Sequence, residues 1–130
     1  RKANRKKNAI QWMINELKAD RDVKMYDNGS HCRDIMHVDD VCRAIKLVMD
    51  AGNYNETYNI GSGKPTSVSE IMTLAKHYTR SRGQLLNMEP PEFHKNVQTQ
   101  NFWMDTSKLI LLGFTQHITN EFLVKDLCIA

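Results

Sequence analysis

Apolar positions along this chain switch between a helical and an extended period. From Asn8 to Ala19, Ile10, Met13, Ile14 and Leu17 fall at i, i+3, i+4 and i+7, which predicts an amphipathic helix with one buried stripe. Val23 to Tyr26 is a short run closed by Asp27-Asn28-Gly29, a strand entering a turn. Ile35 to Val38 is β-prone. Asp39-Asp40 then stand where they would cap a second helix, with Val41, Ala44, Ile45 and Val48 as its stripe and Gly52 as its stop. Thr57 to Ile60 predicts a buried strand, ended by Gly61-Ser62-Gly63-Lys64-Pro65. Ser67-Val68-Ser69-Glu70 is a capping box for a third helix, whose stripe is Ile71, Leu74, Ala75 and Tyr78. Ser81 to Pro91 predicts a loop with an apolar island at Leu85-Leu86, and Val97 to Met104 a strand or extended segment. Asp105 is placed to cap a short helix ending at Gly113, and Thr119 a last one. Without repeat or linker, the pattern predicts one α/β domain over residues 1–130, helices packed on short strands.

Charge adds little to this picture. The chain carries 18 Lys+Arg against 15 Asp+Glu, a net +3. The surplus is local, because Arg1, Lys2, Arg5, Lys6 and Lys7 crowd the start. A nucleic-acid binder spreads such an excess over a face, so that partner is disfavoured even with Trp12 nearby for stacking. No apolar run reaches the length of a bilayer span and no apolar stretch follows the basic start, which predicts neither a membrane partner nor secretion. Three scattered cysteines, Cys32, Cys42 and Cys128, fit free thiols and a cytoplasmic setting. The chain opens on Arg1 rather than Met, as expected of a processed product or a piece of something longer.

Several chemistries fail on spacing. A phosphate-binding P-loop needs Gly five residues before the Gly-Lys and Ser or Thr directly after it; here those places hold Tyr58 and Pro65. A dinucleotide fingerprint needs a third Gly and a preceding βαβ start, and Gly61 and Gly63 have neither. His31, Cys32, His37 and Cys42 cluster without ligand spacing, so ordinary histidines are favoured over a metal site. Cys32 beside Arg33 meets half the requirement of a reactive thiol and lacks a base, which favours a small packed side chain.

Three ordered blocks carry a resemblance. Val23 to Gly29, followed by Arg33-Asp34-Ile35-Met36-His37-Val38-Asp39-Asp40-Val41, is similar to the strand, turn and R-D-φ-φ-φ-V-x-D-V segment of nucleotide-sugar epimerases and dehydratases, the extended short-chain dehydrogenase/reductase family. Glu56-Thr57-Tyr58-Asn59-Ile60-Gly61-Ser62-Gly63 resembles that family's T-Y-N-φ-G-x-G block. Asp105-Thr106-Ser107-Lys108-Leu109 with Leu112-Gly113-Phe114 resembles its D-x-S-K-φ … L-G-φ block. The likeness runs from about Asn8 to the C-terminus. It implies the C-terminal, substrate-binding part of such an enzyme, a small lobe without a complete Rossmann domain. The glycine-rich cofactor turn is missing, and no Tyr is followed four residues later by Lys. The resemblance therefore implies NAD(P) for the complete enzyme and none bound by this chain alone, with no catalytic residue here.

The same resemblance implies substrate-binding positions. Asn8 matches an Asn that contacts substrate; Lys24, Met25 and Tyr26 match a strand laid against the nucleotide base; Arg33 matches an Arg that reaches the diphosphate. A base offers a flat π-face and amide-like edges, which suit an aromatic ring and open strand N–H and C=O groups. A guanidinium is a permanently charged planar fork, which suits a diphosphate. Beside these stand plainer roles: an N-cap for Asn8, core packing for Tyr26, a salt bridge to Asp34 or Asp39 for Arg33. Two positions depart from the family pattern. Asp27 replaces the usual turn Gly, and Phe93 stands where a second phosphate-binding Arg is expected, with Asn96 three residues on where an Asp contacts the ribose. The expected ligand is a nucleoside diphosphate sugar. A lobe on its own would expose an apolar patch, which predicts a cofactor-binding partner chain or self-association. The alternative reading is a non-catalytic binding or assembly module that kept the fold and lost the ligand.

Overall fold

The computed structural model describes residues 8–129. The basic start lies outside them. Three helices follow the predicted stripes. Helix α1 (Ala9–Lys18) begins where the Asn8 side chain accepts a hydrogen bond from the Gln11 N–H at 3.2 Å, and it buries Ile14 and Leu17 completely. Strand β1 (Val23–Tyr26) follows, then a 3-10 turn at Asp27–Gly29 and a two-residue strand β2 (Cys32–Arg33). Helix α2 runs Val38–Ala51, strand β3 Thr66–Ser67, helix α3 Val68–Thr79 and strand β4 Leu85–Met88. Three helices complete the chain: α4 (Glu92–Val97), α5 (Ser107–Leu111) and α6 (Asn120–Ile129). Ser67 caps α3 by accepting from Glu70 N–H at 3.1 Å, and Thr119 Oγ1 accepts from Phe122 N–H at 3.2 Å at the start of α6. None of the described helices is long and apolar enough to cross a membrane.

Burial organises these elements into two clusters. The main core joins α1, β1, α3 and α6 through Ile14, Leu17, Val23, Met25, Ile71, Met72, Ala75, Leu123 and Val124. A smaller one joins α2 to α5 through Ala44, Leu109 and Phe114. Burying a Leu, Ile or Val completely is worth about 1.5–3 kcal/mol, so the first cluster supplies most of the apolar stabilisation. The sheets are minimal: β1 pairs β4 in parallel, Val23 opposite Leu85, and β2 pairs β3 antiparallel, Arg33 opposite Thr66. This is an α/β fold with helices on short strands.

Several expected elements differ. Ile35 to His37 forms no strand, Val38 already opens α2, and the strand before them is Cys32–Arg33. The cap of α2 is His37, whose Nδ1 accepts from Asp39 N–H at 3.1 Å, so Asp39 and Asp40 lie inside the first turn. Ile45, expected in the α2 stripe, is exposed. Thr57 to Ile60 is not a buried strand: no strand forms there, and Thr57 and Asn59 are exposed. Leu85-Leu86 is no loop island but the start of β4, recruited by pairing with β1. The stretch Val97 to Met104 holds one bridge, Cys32 with Asn101, and its first residue closes an unforeseen helix, α4. The common cause is that a short extended segment becomes a strand only where a partner edge exists.

One glycine is fixed by close approach. Gly29 has φ +73°, and a Cβ there would stand 2.7 Å from Ser69 N and 2.9 Å from Met25 Sδ. Gly29→Ala is therefore expected to lower stability by about 2 kcal/mol from clash and left-handed strain together. Urea denaturation checks this; a wild-type midpoint would show that the α3 N-terminus yields freely.

Candidate functional site

The adjacent residues Arg33 and Asp34 point their side chains apart, and each ties down a distant segment. The Arg33 guanidinium donates to the Cys32 and Gln100 carbonyls, both at 2.8 Å, and to the Thr99 carbonyl at 2.7 Å. It pairs with neither Asp34 nor Asp39. Carbonyl oxygens hold the group in place without cancelling its charge, so a full positive charge remains at the surface it faces. Asp34 instead accepts from Ser62 N–H and Ser62 Oγ at 2.7 Å, Gly63 N–H at 3.0 Å and Met104 N–H at 3.1 Å. Burial alone would push this carboxyl up. The four hydrogen bonds outweigh it and hold the group below the ordinary carboxylate range. A Cβ on Gly61 would meet Asp34 Oδ2 at 2.7 Å, so the turn is closed down onto that carboxylate.

This bears on the cofactor that the resemblance implies. The Ser62 and Gly63 main-chain N–H groups, which a dinucleotide phosphate would need, are already taken by Asp34. The Gly61–Gly63 turn therefore does not fit a phosphate cradle.

A cavity of about 810 Å³ opens beside Arg33, large enough for a nucleotide-sized ligand. Helix α1 lines it with Asn8, Ile10, Trp12 and Met13, β1 with Lys24 and Tyr26, and β2 with Arg33. Four of the six sequence-derived positions, Asn8, Lys24, Tyr26 and Arg33, thus meet at one cleft. The Asn8 carbonyl is spent on capping α1, while its amide nitrogen has no hydrogen bond among the described residues. Tyr26 is half-buried, and its hydroxyl lies 2.7 Å from His94 Nδ1. Strand β1 meets β4 along one edge, with Val23 N–H donating to the Gln84 carbonyl at 2.8 Å. Alternation in a parallel ladder then turns the main-chain groups of Lys24 and Tyr26 to the opposite, open edge.

Two positions do not join. Met25 is 5% exposed and packs into the main core, because the side chain after Lys24 must point to the other face of the strand. Asn96 is exposed on α4 and outside the cleft lining, where Gln98 stands instead. Phe93 is 69% exposed on the same helix and does not line the cleft; of its neighbours, Lys95 is paired with Glu89 at 2.8 Å and the His94 ring with the Tyr26 hydroxyl at 2.7 Å. Trp12, Asp22, His31 and Gln98 are lining residues that sequence reasoning missed. For Trp12 and Asp22 a signal existed: Trp12 is one turn from Asn8 on a polar helix flank, and Asp22 shares strand parity with Lys24 and Tyr26. His31 is buried, its Nε2 2.7 Å from Asp27 Oδ2. Among the described residues no group of three His, Cys, Asp or Glu could hold a metal ion.

A second carboxylate anchors the far side. Asp40 is completely buried on α2 and accepts from Arg43 Nη1 at 2.6 Å, Ile118 N–H at 2.9 Å and His117 N–H at 3.2 Å. Burial again pushes the carboxyl up and is outweighed, here by the Ile118 and His117 amides and by Arg43, leaving it lowered. Groups whose folded pKa lies below the unfolded value of about 4 stabilise the fold above that pH and lose the contribution as pH falls through the folded value. The urea midpoint is therefore expected to hold from neutral pH to about 5 and to fall below about 4. Asp34→Asn should flatten that fall. An equally steep loss in the variant would remove Asp34 as a source.

The comparisons agree with this architecture. A family model described as "NAD dependent epimerase/dehydratase family" matches residues 1–61. GDP-L-fucose synthase 1 of Arabidopsis thaliana is 29% identical over 130 residues, covering 92% of this chain and 39% of the relative. Among solved structures, the UDP-glucose 4-epimerase of Thermotoga maritima with UDP-glucose superposes with TM-score 0.79 at 25% identity, over 93% of this chain and 38% of that one. The Bordetella bronchiseptica enzyme WbmF in complex with NAD+ and UDP shares the fold at TM-score 0.76 and 21% identity, over 93% and 35%. The chain spans a little over a third of the length of each. The chain is thus similar, over nearly its whole length, to one α/β part of NAD-dependent nucleotide-sugar epimerases and dehydratases.

Proposed function

We propose that residues 1–130 form one domain, the nucleotide-sugar-binding lobe of an NAD(P)-dependent epimerase or dehydratase, and that turnover requires a separate cofactor-binding body. The observation that carries this reading is the Arg33 guanidinium, held rigid by three carbonyls and neutralised by none of the described residues, at a cleft lined by Trp12 and Tyr26. In this reading Arg33 takes the diphosphate, the open edge of β1 at Lys24 and Tyr26 takes the base, and the Asn8 amide donates to the sugar-phosphate. Met25 has no part, since its side chain lies in the core and its main chain faces β4, and Asn96 has none unless α4 moves.

A second surface supports the need for another body. Val38, Ile45 and Met49 on α2 and Ile110 and Leu111 on α5 are large, apolar and exposed. Beside them residues 57–60 pair with no strand among the described residues, while the Thr57 carbonyl accepts from Lys108 Nζ at 3.4 Å. An apolar face next to an unpaired extended segment is the kind of surface that another chain or domain covers. The exposed Phe93 favours the rival reading, an assembly module without ligand.

Titration with nucleoside diphosphates and nucleotide sugars, followed by backbone amide shifts, tests the reading. Saturable shifts centred on Asn8, Lys24 to Tyr26 and Arg33 are the expected outcome. No shift with any nucleotide, alone or with a cofactor-binding lobe added, would leave the assembly module standing.

A further inference from the structure

The cleft-facing side of β1 carries a charge pattern that the binding of a diphosphate does not use. Residues 22, 24 and 26 share one face of the strand, and Asp22, Lys24 and Tyr26 all line the cleft. Asp22 and Lys24 are exposed and form no ion pair with each other or with any described residue. Asp22 Oδ1 accepts from Gln84 N–H at 2.8 Å. That bond fixes the carboxylate against the start of β4 and leaves Oδ2 and one lone pair of Oδ1 for a ligand. The Lys24 ammonium has no partner among the described residues.

Along one face the site therefore presents a fixed acceptor and, one pleat on, a mobile donor. The bases differ sharply in what they offer such a pair. Guanine sets N1–H and N2–H₂ side by side, two donors that a single carboxylate accepts together, with the O6 acceptor adjacent for an ammonium. Uracil and thymine place N3–H between two carbonyl oxygens, so a carboxylate gains one bond and faces two repelling lone pairs. Adenine and cytosine place a ring-nitrogen lone pair beside their amino group, again one gain and one repulsion. Resting on the reading that the cleft holds a nucleoside diphosphate, we propose that Asp22 and Lys24 make it selective for guanine, Asp22 accepting from the N1–H and N2–H₂ edge and Lys24 donating to O6.

The test is a calorimetric titration of the whole chain with GDP, UDP, dTDP, ADP and inorganic pyrophosphate, repeated on Asp22→Asn. A hydrogen bond to a charged group contributes enough that GDP should bind about 10- to 100-fold more tightly than UDP or dTDP. Asp22→Asn keeps an acceptor for Gln84 N–H, so its amide spectrum should match the wild type. It should lower GDP affinity roughly 10-fold and leave UDP and pyrophosphate unchanged. UDP binding as tightly as GDP, or an equal loss for every ligand in the variant, overturns the guanine assignment while the diphosphate reading stands. Binding of no diphosphate at all overturns both.

Discussion

Asp40→Ala is expected to lose about 3 kcal/mol of stability. The carboxylate has no solvent exposure and holds two main-chain N–H groups, His117 and Ile118, together with Arg43. Removing it leaves two inward-facing donors without acceptors and a guanidinium without its counter-charge. Arg43 is only partly compensated, by the Thr115 carbonyl at 3.2 Å, His117 Nε2 at 3.1 Å and the Phe114 ring 5.4 Å beneath it. The loss should therefore spread through the segment that joins α5 to α6 and loosen Phe114 in the smaller cluster. Urea denaturation reads it as a lower midpoint at unchanged slope. Asp40→Asn should recover part of it, because an amide oxygen still accepts from one N–H. A loss below about 1 kcal/mol for the alanine variant, the size of one ordinary neutral hydrogen bond, would show that water replaces the carboxylate.

Arg33→Ala should weaken nucleoside diphosphate binding by about 2 kcal/mol, close to 30-fold. The lower end of the range for a charged pair applies because the side chain is half-buried and open to screening. The same substitution releases the Thr99 and Gln100 carbonyls. Amide exchange over 98–102 should accelerate, since α4 contributes no buried residue to keep this segment in place. Arg33→Lys should behave much like alanine in the exchange experiment, because one ammonium cannot span three carbonyls as the planar fork does. Unchanged affinity in the alanine variant removes Arg33 from the site. Unchanged exchange would mean that the Cys32–Asn101 bridge alone holds the segment.

The legible part of the fold is the part built on local periodicity. The stripes of α1 and α3, the Ser67 capping box and the Thr119 cap follow from residues within one or two turns of each other, and the structure places them as expected. The motif blocks singled out Arg33, and the structure puts that residue in the lining of a cleft. What periodicity misjudged were extended segments. Thr57 to Ile60 has a strand-like composition and stays unpaired, whereas Leu85 to Met88 has little strand signal and pairs because β1 offers it an edge.

The partners of the two charged side chains most central to the site were likewise invisible in the sequence. Arg33 invites a salt bridge with its neighbour Asp34, yet it reaches carbonyls 66 and 67 residues away, and Asp34 reaches Ser62 and Met104. Met25 shows the same limit, since strand parity alone separates a core side chain from its cleft-lining neighbours. The amino-acid sequence by itself determined the main helices and the α/β class, because each depends on spacing within a short window. Only the tertiary structure decided which strands exist, which of the candidate residues share one cleft and which partners hold the charges, because pairing and desolvation depend on groups brought together from distant parts of the chain.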